Sequence, residues 1–297
     1  MPINKYLSIA ALFVICCNSS VAQNIDLARL EFTYFPQEES DNSFRRIRSF
    51  INFPIKLNND NYLLPGIEYR NVNLIFDDTA PFDRKQLNRF ESLEARLAYI
   101  IKLNPSWRMA SEIGAQASSN FTSNNVLRDD LLAVSSLFFI HKKNYQNDIK
   151  SRRIIFGLRY STTTGFPFPL PVFLINKRVN TNIGYNLGVP KTSFKYYFND
   201  KHAIQSFVTL DGFYANIQED IPLVFNQNTE FAEDIRMTVI LAGLGYQYKL
   251  TDKLIFYIYS GYTILNDIRL RNSDKDDIFT INDTNNFYAR TGIKFKI

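Results

Sequence analysis

Cysteine is almost missing from this 297-residue chain: only Cys16 and Cys17 occur, adjacent near the N-terminus. The rest of the chain therefore cannot build a disulfide scaffold, a thiol nucleophile or a cysteine-ligated metal site. That poverty also suits a chain that crosses an oxidising compartment unfolded, where stray thiols would mispair. Histidine is just as scarce, with His141 and His202 alone, and a lone histidine needs a partner to act as a base or ligand. No GxSxG or HExxH motif occurs, so the common hydrolase and metalloprotease arrangements are missing. Beyond the N-terminus no apolar run approaches the ~18–20 residues of a membrane-spanning helix.

The N-terminus reads as an export signal. Lys5 supplies the positive charge, Tyr6 to Cys17 an apolar stretch, and Ser20-Val21-Ala22 the small residues of a cleavage site. Cleavage is expected between Ala22 and Gln23, giving a signal peptide at 1–22 and a mature domain at 23–297. A lipoprotein signal is disfavoured, because Ile15 and Cys16 stand before the two cysteines where a small residue is required. Both cysteines leave with the signal.

What the chain has in abundance is Phe and Tyr, 26 and 17 against a single Trp. Many aromatics with a slightly hydrophilic average fit a membrane protein that crosses as alternating strands, half facing lipid and half a polar lumen. The net charge is +5, about +4 once Lys5 is removed. A basic balance can indicate nucleic acid. Here the cations recur singly at alternate positions, and the chain is exported, so no nucleic-acid partner is expected.

Period-two alternation recurs along the sequence. Ala28, Leu30, Phe32 and Tyr34 oppose Arg29, Glu31 and Thr33. Ile47, Ser49, Ile51, Phe53 and Ile55 oppose Arg46, Arg48, Asn52 and Lys56. Leu93, Ala95, Leu97, Tyr99 and Ile101 oppose Glu94, Arg96 and Lys102. Trp107, Met109, Ile113 and Ala115 oppose Arg108, Glu112 and Gln116. Ile154, Phe156, Leu158 and Tyr160 oppose Arg153, Gly157 and Arg159. Leu131 to Ile140 and Leu254 to Leu270 are apolar on both faces. Tight turns at Asn58-Asn59-Asp60, Asn104-Pro105-Ser106, Asn199-Asp200-Lys201 and Thr251-Asp252-Lys253 alternate with longer polar stretches. Those stretches are Gln37 to Asn42, Asp77 to Arg89, Ser118 to Asp130, Gln218 to Asp234 and Arg271 to Asn285. Short turns at one end and long loops at the other make an all-β, closed antiparallel transmembrane barrel. About twelve strands are expected, within a range of ten to fourteen. The proline-bearing stretch Leu170 to Phe198 decides the number: it holds either two extra short strands or an irregular segment.

Up to the last residue, Phe287, Ala289, Thr291, Ile293, Phe295 and Ile297 alternate with Tyr288, Arg290, Lys294 and Lys296. This resembles the C-terminal signal by which outer-membrane proteins engage the barrel-assembly machinery, with Phe287, Ile293, Phe295 and Ile297 on the signal face. The usual final aromatic is replaced by Ile297. Together with Leu187-Gly188-Val189-Pro190, Tyr196-Tyr197 and the following Asn-Asp turn, the chain resembles uncharacterised outer-membrane β-barrel families of Bacteroidota-type bacteria. The resemblance implies an outer-membrane location in a Gram-negative cell, with lipid and lipopolysaccharide as neighbours. It implies no activity, and no catalytic residue follows from it.

No enzyme, cofactor or metal site is expected. Asp274, Asp276, Asp277 and Asp283, and Glu219, Asp220, Glu230, Glu233 and Asp234, are hard oxygen donors, but the Gly and closing Glu of an EF-hand loop are missing, and solvated loops are the expectation. The lumen face is the informative feature. Arg29, Arg46, Arg48, Lys56, Lys102, Arg96, Arg108, Arg153 and Arg159 outnumber Glu31, Glu94 and Glu112 there. Two expectations stand ahead of a third, a membrane-embedded barrel enzyme, which ranks last because no coherent constellation appears. One is a passive channel for small solutes with a positive field and a preference for anions, weakened by removing charge at Arg96 and Arg108. The other is a structural or adhesion barrel whose carboxylates and arginines pair to close the lumen, leaving the surface loops to bind.

Overall fold

A computed structural model describes residues 26–36, 43–75, 84–143, 151–161, 169–225 and 228–296. The expected export signal and cleavage site, the connection Gln37 to Asn42 and Ile297 lie outside the described residues. Among the described residues sixteen strands run in chain order: β1 (Asp26–Pro36), β2 (Ser43–Asn52), β3 (Ile55–Lys56), β4 (Tyr62–Ile75), β5 (Arg89–Lys102), β6 (Trp107–Ser119), β7 (Leu131–Lys143) and β8 (Arg152–Tyr160). Then come β9 (Leu170–Arg178), β10 (Ile183–Val189), β11 (Lys191–Tyr197), β12 (His202–Phe225), β13 (Asn228–Lys249), β14 (Leu254–Arg271), β15 (Asp277–Asn282) and β16 (Phe287–Lys296).

Each strand pairs with its sequence neighbours, and β1 closes on β16 from Asp26↔Lys296 to Tyr34↔Ala289. Two strands stand off this ring: β3 pairs only with β4, and β15 only with β14. Fourteen remain, forming a closed antiparallel barrel. Twelve is therefore corrected to fourteen. The additional strands come from Leu170 to Phe198, where β10 and β11 have seven residues each and only Pro190 between them. Such pieces are shorter than the ~9–11 residues of a full tilted crossing, which is why their number is hard to read from sequence.

Alternation sets which side meets lipid. Leu30, Leu93, Ile113, Leu158, Phe173, Leu244 and Phe287 are exposed on the outer face around the ring, while Glu31, Arg46, Glu68, Glu94 and Gln116 are buried inside. Among the described residues, closure gives each of the fourteen ring strands a partner on both sides, the condition for β-structure in a bilayer. Aromatics gather at the short-turn end: Trp107 stacks near His141 at 4.7 Å, Tyr196 meets Phe198 at 5.2 Å, and His202 Nδ1 lies 2.6 Å from the Tyr246 hydroxyl. Amphipathic rings favour this interfacial level. The turn after β3 is tight enough to place Asn59 and Asp60 at φ 59° and 57°, a left-handed conformation that Asn and Asp adopt more readily than most residues.

The long-loop end is built differently. Gln218 to Asp234 is a correction: instead of a loop, it continues β12 and β13 into a hairpin. Ladder register breaks there, with Asn216 opposite Asp234 and Ile221 opposite Ala232, and a bulge of this kind bends a strand. The bend carries β12 across the barrel to β6, where Asn216 meets Ser119 in parallel register. Ser118 and Ser119 hydroxyls donate to the carbonyls of Tyr214 and Asn216 at 2.9 and 3.1 Å. The sheet thus closes a second time through β12, β13, β14, β16, β1, β2, β4, β5 and β6. Strands β7 to β11 remain outside this narrower ring.

The narrow ring encloses the apolar core. Phe35, Phe44, Phe90, Phe213, Ile217, Leu223, Ile235, Val239, Leu270 and Tyr288 are almost wholly buried within it. Phe44 lies 5.1 Å from Phe35 and 6.0 Å from Phe213, and Phe213 lies 6.1 Å from Phe90. Side chains from β1, β2, β5 and β12 therefore meet in the middle of the ring. The long-loop end is packed as a globular interior.

Candidate functional site

Beneath that core the inward positions turn from apolar to charged. Thr33 and Glu31 on β1 sit beside Arg290 and Gly292 on β16, and beside Arg46 and Arg48 on β2. Arg46 reaches Asp211 on β12 with two bonds, at 3.0 and 2.7 Å. Arg290 donates to the same carboxylate at 2.5 Å and to the Thr33 hydroxyl at 3.1 Å. In the sheet order β2 and β12 are five strands apart, so the Arg46–Asp211 pair spans the lumen instead of running along its wall. Asp211 is two residues before Phe213, and the charged clamp lies directly under the aromatic core.

A second group lines β2, β4, β5 and β6. Arg48 donates to both oxygens of Glu68, at 2.8 and 3.0 Å, and Arg70 to Glu68 at 2.5 Å. Arg96 bonds Glu94 at 2.9 Å and lies 3.6 and 3.8 Å from Glu68 and Glu112. Arg159 reaches Glu112 at 3.9 Å, and the Ser136 hydroxyl bonds it at 3.4 Å. Ions this deep in a protein are tolerated because each has an opposite charge and further hydrogen bonds.

A third group belongs to β1, β9, β11, β13, β14 and β16. Arg29 pairs with Asp26 and lies 3.7 Å from Glu31; Lys296 lies 3.5 Å from Asp26. Tyr257 donates to Glu31 at 2.6 Å, with its ring laid over Gly292, the residue opposite it in the ladder. Tyr259 covers Gly245 in the same way, an aromatic-on-glycine pairing that seals a sheet where a side chain is missing. Gln247 donates to the Tyr259 hydroxyl at 2.5 Å and accepts from Lys195.

The charged residues picked out from alternation are thus distributed. Arg46, Arg48, Glu94, Arg96 and Glu112 lie inside, with Arg159 at the edge of their network and Arg29 in the third group. Arg108 stacks over Tyr62 at 5.7 Å and reaches the Asp60 carbonyl at 3.4 Å, near the short-turn rim. Arg153 faces Lys142 and Asn176 across its ladders at the same end. Lys56 stands in β3 on the rim, half exposed, 3.3 Å from Asp60. Lys102 bonds that carboxylate at 2.7 Å, and these lysine bonds hold the Asp60 carboxyl below its ordinary range.

Several interior residues escaped the sequence reading. Glu68 and Arg70 alternate with Ile67 and Tyr69, a signal available in the sequence. Asp211 sits in a stretch apolar on both sides, and nothing local marks it as the centre of a clamp. Of the signal-face residues, Phe287 and Ile293 are exposed on the outer face, and Phe295 shares their side of β16, opposite Ala28 and Leu254.

The acidic loops carry compensating cations. Asp234 is fully buried, bonded by Arg271 at 2.7 Å, Lys275 at 2.9 Å and the Tyr214 hydroxyl at 3.1 Å. Partial burial works against the Lys275 charge, but the Asp234 bond and charge outweigh it and raise its pKa. Asp277 lies 3.6 and 3.5 Å from Arg236 and Arg269. Among the described residues no cluster of three metal-ligating side chains occurs.

Fold and interior together define a transmembrane β-barrel whose lumen is crossed by ion pairs and capped by an apolar core. The chain belongs to a family described as a domain of unknown function (DUF6268), whose model matches residues 36–296. No curated protein matches it in sequence. Among solved structures it is similar to the NanC porin, at 11% identity and TM-score 0.40, covering 91% of this chain and 100% of that one. LpxR from Salmonella typhimurium aligns at 7% identity and TM-score 0.41, covering 91% and 100%. The Pseudomonas putida toluene transporter TodX aligns at 7% and 0.36, covering 92% and 89%. At these values none of them informs the function.

Proposed function

We propose that this protein is an outer-membrane barrel, closed at rest, that acts as a structural or surface-binding element and not as a passive pore. The observation that carries the reading is the Arg46–Asp211–Arg290 clamp beneath the Phe44–Phe213 core. A solute travelling through the narrow ring would have to break a charge-assisted clamp and displace packed aromatic rings. Neither event is compatible with free diffusion. The lipid-facing belt and the aromatic rim support residence in a bilayer, and a closed antiparallel barrel suits the outer membrane. The neighbours in this reading are outer-membrane lipid and lipopolysaccharide, and the assembly machinery reads the face of Phe287, Ile293, Phe295 and Ile297.

A gated channel is the second reading. The gathering of Arg178 on β9 and Lys191 and Lys195 on β11 with Lys296 on β16 favours it, since a path lined by one sign concentrates counter-ions. Planar-bilayer recording of the purified protein separates the two. Closed at rest means no steady current from the wild type. Stable open-channel current from the unmodified barrel would overturn the proposal.

A further inference from the structure

The lumen has a paired side and an unpaired side. On β2, β4 and β5 and at the clamp, arginines share buried carboxylates: Arg48, Arg70 and Arg96 on Glu68 and Glu94, and Arg46 and Arg290 on Asp211. On the opposite wall Lys191, Lys195 and Lys294 gather with Arg29, Arg178 and Lys296. Lys195 lies within electrostatic reach of Lys296, Lys191 and Arg178, and Lys294 within reach of Lys296, Lys195 and Arg29. The acids within reach are Asp26, already engaged by Arg29 and Lys296, and Glu31, already engaged by Tyr257, Arg29 and Arg290.

Two of these lysines have no carboxylate partner among the described residues. Lys191 Nζ rests over the rings of Phe207 and Tyr259, 4.8 and 5.3 Å from their centroids. Lys294 Nζ rests over Tyr257 at 5.3 Å, with the whole residue only 8% exposed. The Tyr257 and Tyr259 rings are themselves 4.8 Å apart, so the two ammonium groups sit over adjacent rings. Both rings lie flat on the wall because Gly292 and Gly245 lie beneath them. Lys195 completes the set through Gln247, which binds Tyr259. A cation over a ring is stabilised only modestly, and the rings do not replace the hydration a buried ammonium loses. Several like charges brought together in a low-dielectric lumen are stabilised in their charged form by an opposite charge.

We infer that Lys191, Lys195 and Lys294 form a binding site for a multiply charged oxyanion, phosphate- or carboxylate-bearing, entered from the short-turn end past Lys296 and Arg178. Lysines suit this role as mobile point charges, and the tyrosine floor supplies a flat surface beside them. The site does not depend on whether the barrel conducts, because its lysines lie on the short-turn side of the Arg46–Asp211–Arg290 clamp.

Pyrophosphate and citrate serve as the probes, titrated calorimetrically into the folded barrel in detergent at matched ionic strength. Saturable binding of one or both is expected, weakened at least tenfold by Lys294→Gln and by Lys191→Gln. Pyrophosphate alone would assign a phosphate site, citrate alone a carboxylate site, and both a site selective only for charge. Lys201→Gln, on an exposed turn, should leave binding unchanged. Lys191 and Lys294 lie on different strands, so if one variant fails to give the heat-modifiable folded form the other still decides. Absence of binding to both probes at millimolar concentration would overturn the site. So would binding unaffected by a folded Lys191→Gln or Lys294→Gln variant.

Discussion

Arg46 and Asp211 are 165 positions apart in sequence, yet they form a two-bond pair at 3.0 and 2.7 Å across the barrel lumen. Arg46 is 3% exposed and Asp211 13%. Removing one member of such a pair leaves the other buried without compensation, at a cost of about 3–5 kcal/mol. Here Asp211→Ala strands Arg46 and leaves Arg290 with Glu31 at 3.7 Å and the Thr33 hydroxyl alone. The variant is expected to unfold at lower urea concentration by heat-modifiable gel mobility, and to show intermittent current where the wild type shows none. Unchanged urea resistance and silence in the bilayer would mean that the clamp neither stabilises nor closes the barrel.

The β12–β13 hairpin is held over the long-loop end by Gln218. Its amide accepts from the Ser123 hydroxyl at 2.8 Å and donates to Asp130 at 2.6 Å and to the Asn125 carbonyl at 2.8 Å. Asn216 adds a bond to the same buried Asp130 at 2.9 Å. Replacing Gln218 by Ala leaves Asp130 with fewer donors, and each unsatisfied buried polar group costs about 1–3 kcal/mol. Protease added to intact cells should cut Gln218→Ala within the hairpin while the wild type stays whole. Equal resistance would place the anchor elsewhere, in the Phe44–Phe213 packing.

Alternation made the lipid face legible. Leu30, Ile47, Leu93, Ile113 and Leu158 all point outward in the expected register, because a one-residue slip would turn every one of them into the lumen. The same rule loses its grip beyond the bilayer. Gln218 to Asp234 carries Glu219, Asp220, Glu230, Glu233 and Asp234, and above the membrane no lipid demands an apolar face, so its strands look like a loop. The β10–β11 pair was obscured by brevity. The Asp211 clamp was out of reach for another reason: which charges meet across a lumen depends on how the sheet closes, and closure is a property of the whole ring. Arg96 illustrates the point. The channel expectation treats it as a free lumen cation and the closed-barrel expectation as a carboxylate's partner; Glu68, Glu94 and Glu112 surround it, so its removal leaves carboxylates unpaired and does not simply lessen a positive field.

At the short-turn rim, Asp60 offers a pH test. Hydrogen bonds from Lys102 and Lys56 lower its pKa below the ordinary 3.8. A carboxylate depressed in the folded state contributes stability that is present above its unfolded pKa and lost as pH falls through its folded one. The Asn58–Asp60 turn should therefore keep its amide protection through mild acid and lose it below pH 3.8. Lys102→Gln should move that loss upward toward the unperturbed value. Hydrogen exchange of the turn amides reads both, and an identical profile in the variant would show that the lysine bond does not hold the turn.

The closing strand gives the sharpest test of register, since neighbouring residues on β16 should respond to the same change in opposite ways. Phe295 lies on the outer face between Ala28 and Leu254, where a charge meets lipid at a depth-dependent cost. Lys294 lies inside, 8% exposed, among Arg29, Lys195 and Lys296. An aspartate at 295 faces an apolar medium with no counter-charge. An aspartate at 294 replaces one member of a cationic cluster with the charge that cluster lacks. Phe295→Asp is therefore expected to lose the folded, heat-modifiable band and to accumulate unassembled protein. Lys294→Asp should keep the band at close to wild-type intensity and lose anion binding. Equal loss of the folded band in both variants would mean that β16 is read by the assembly machinery without regard to which face meets lipid, and would set aside the inward placement of Lys294 on which the oxyanion site depends.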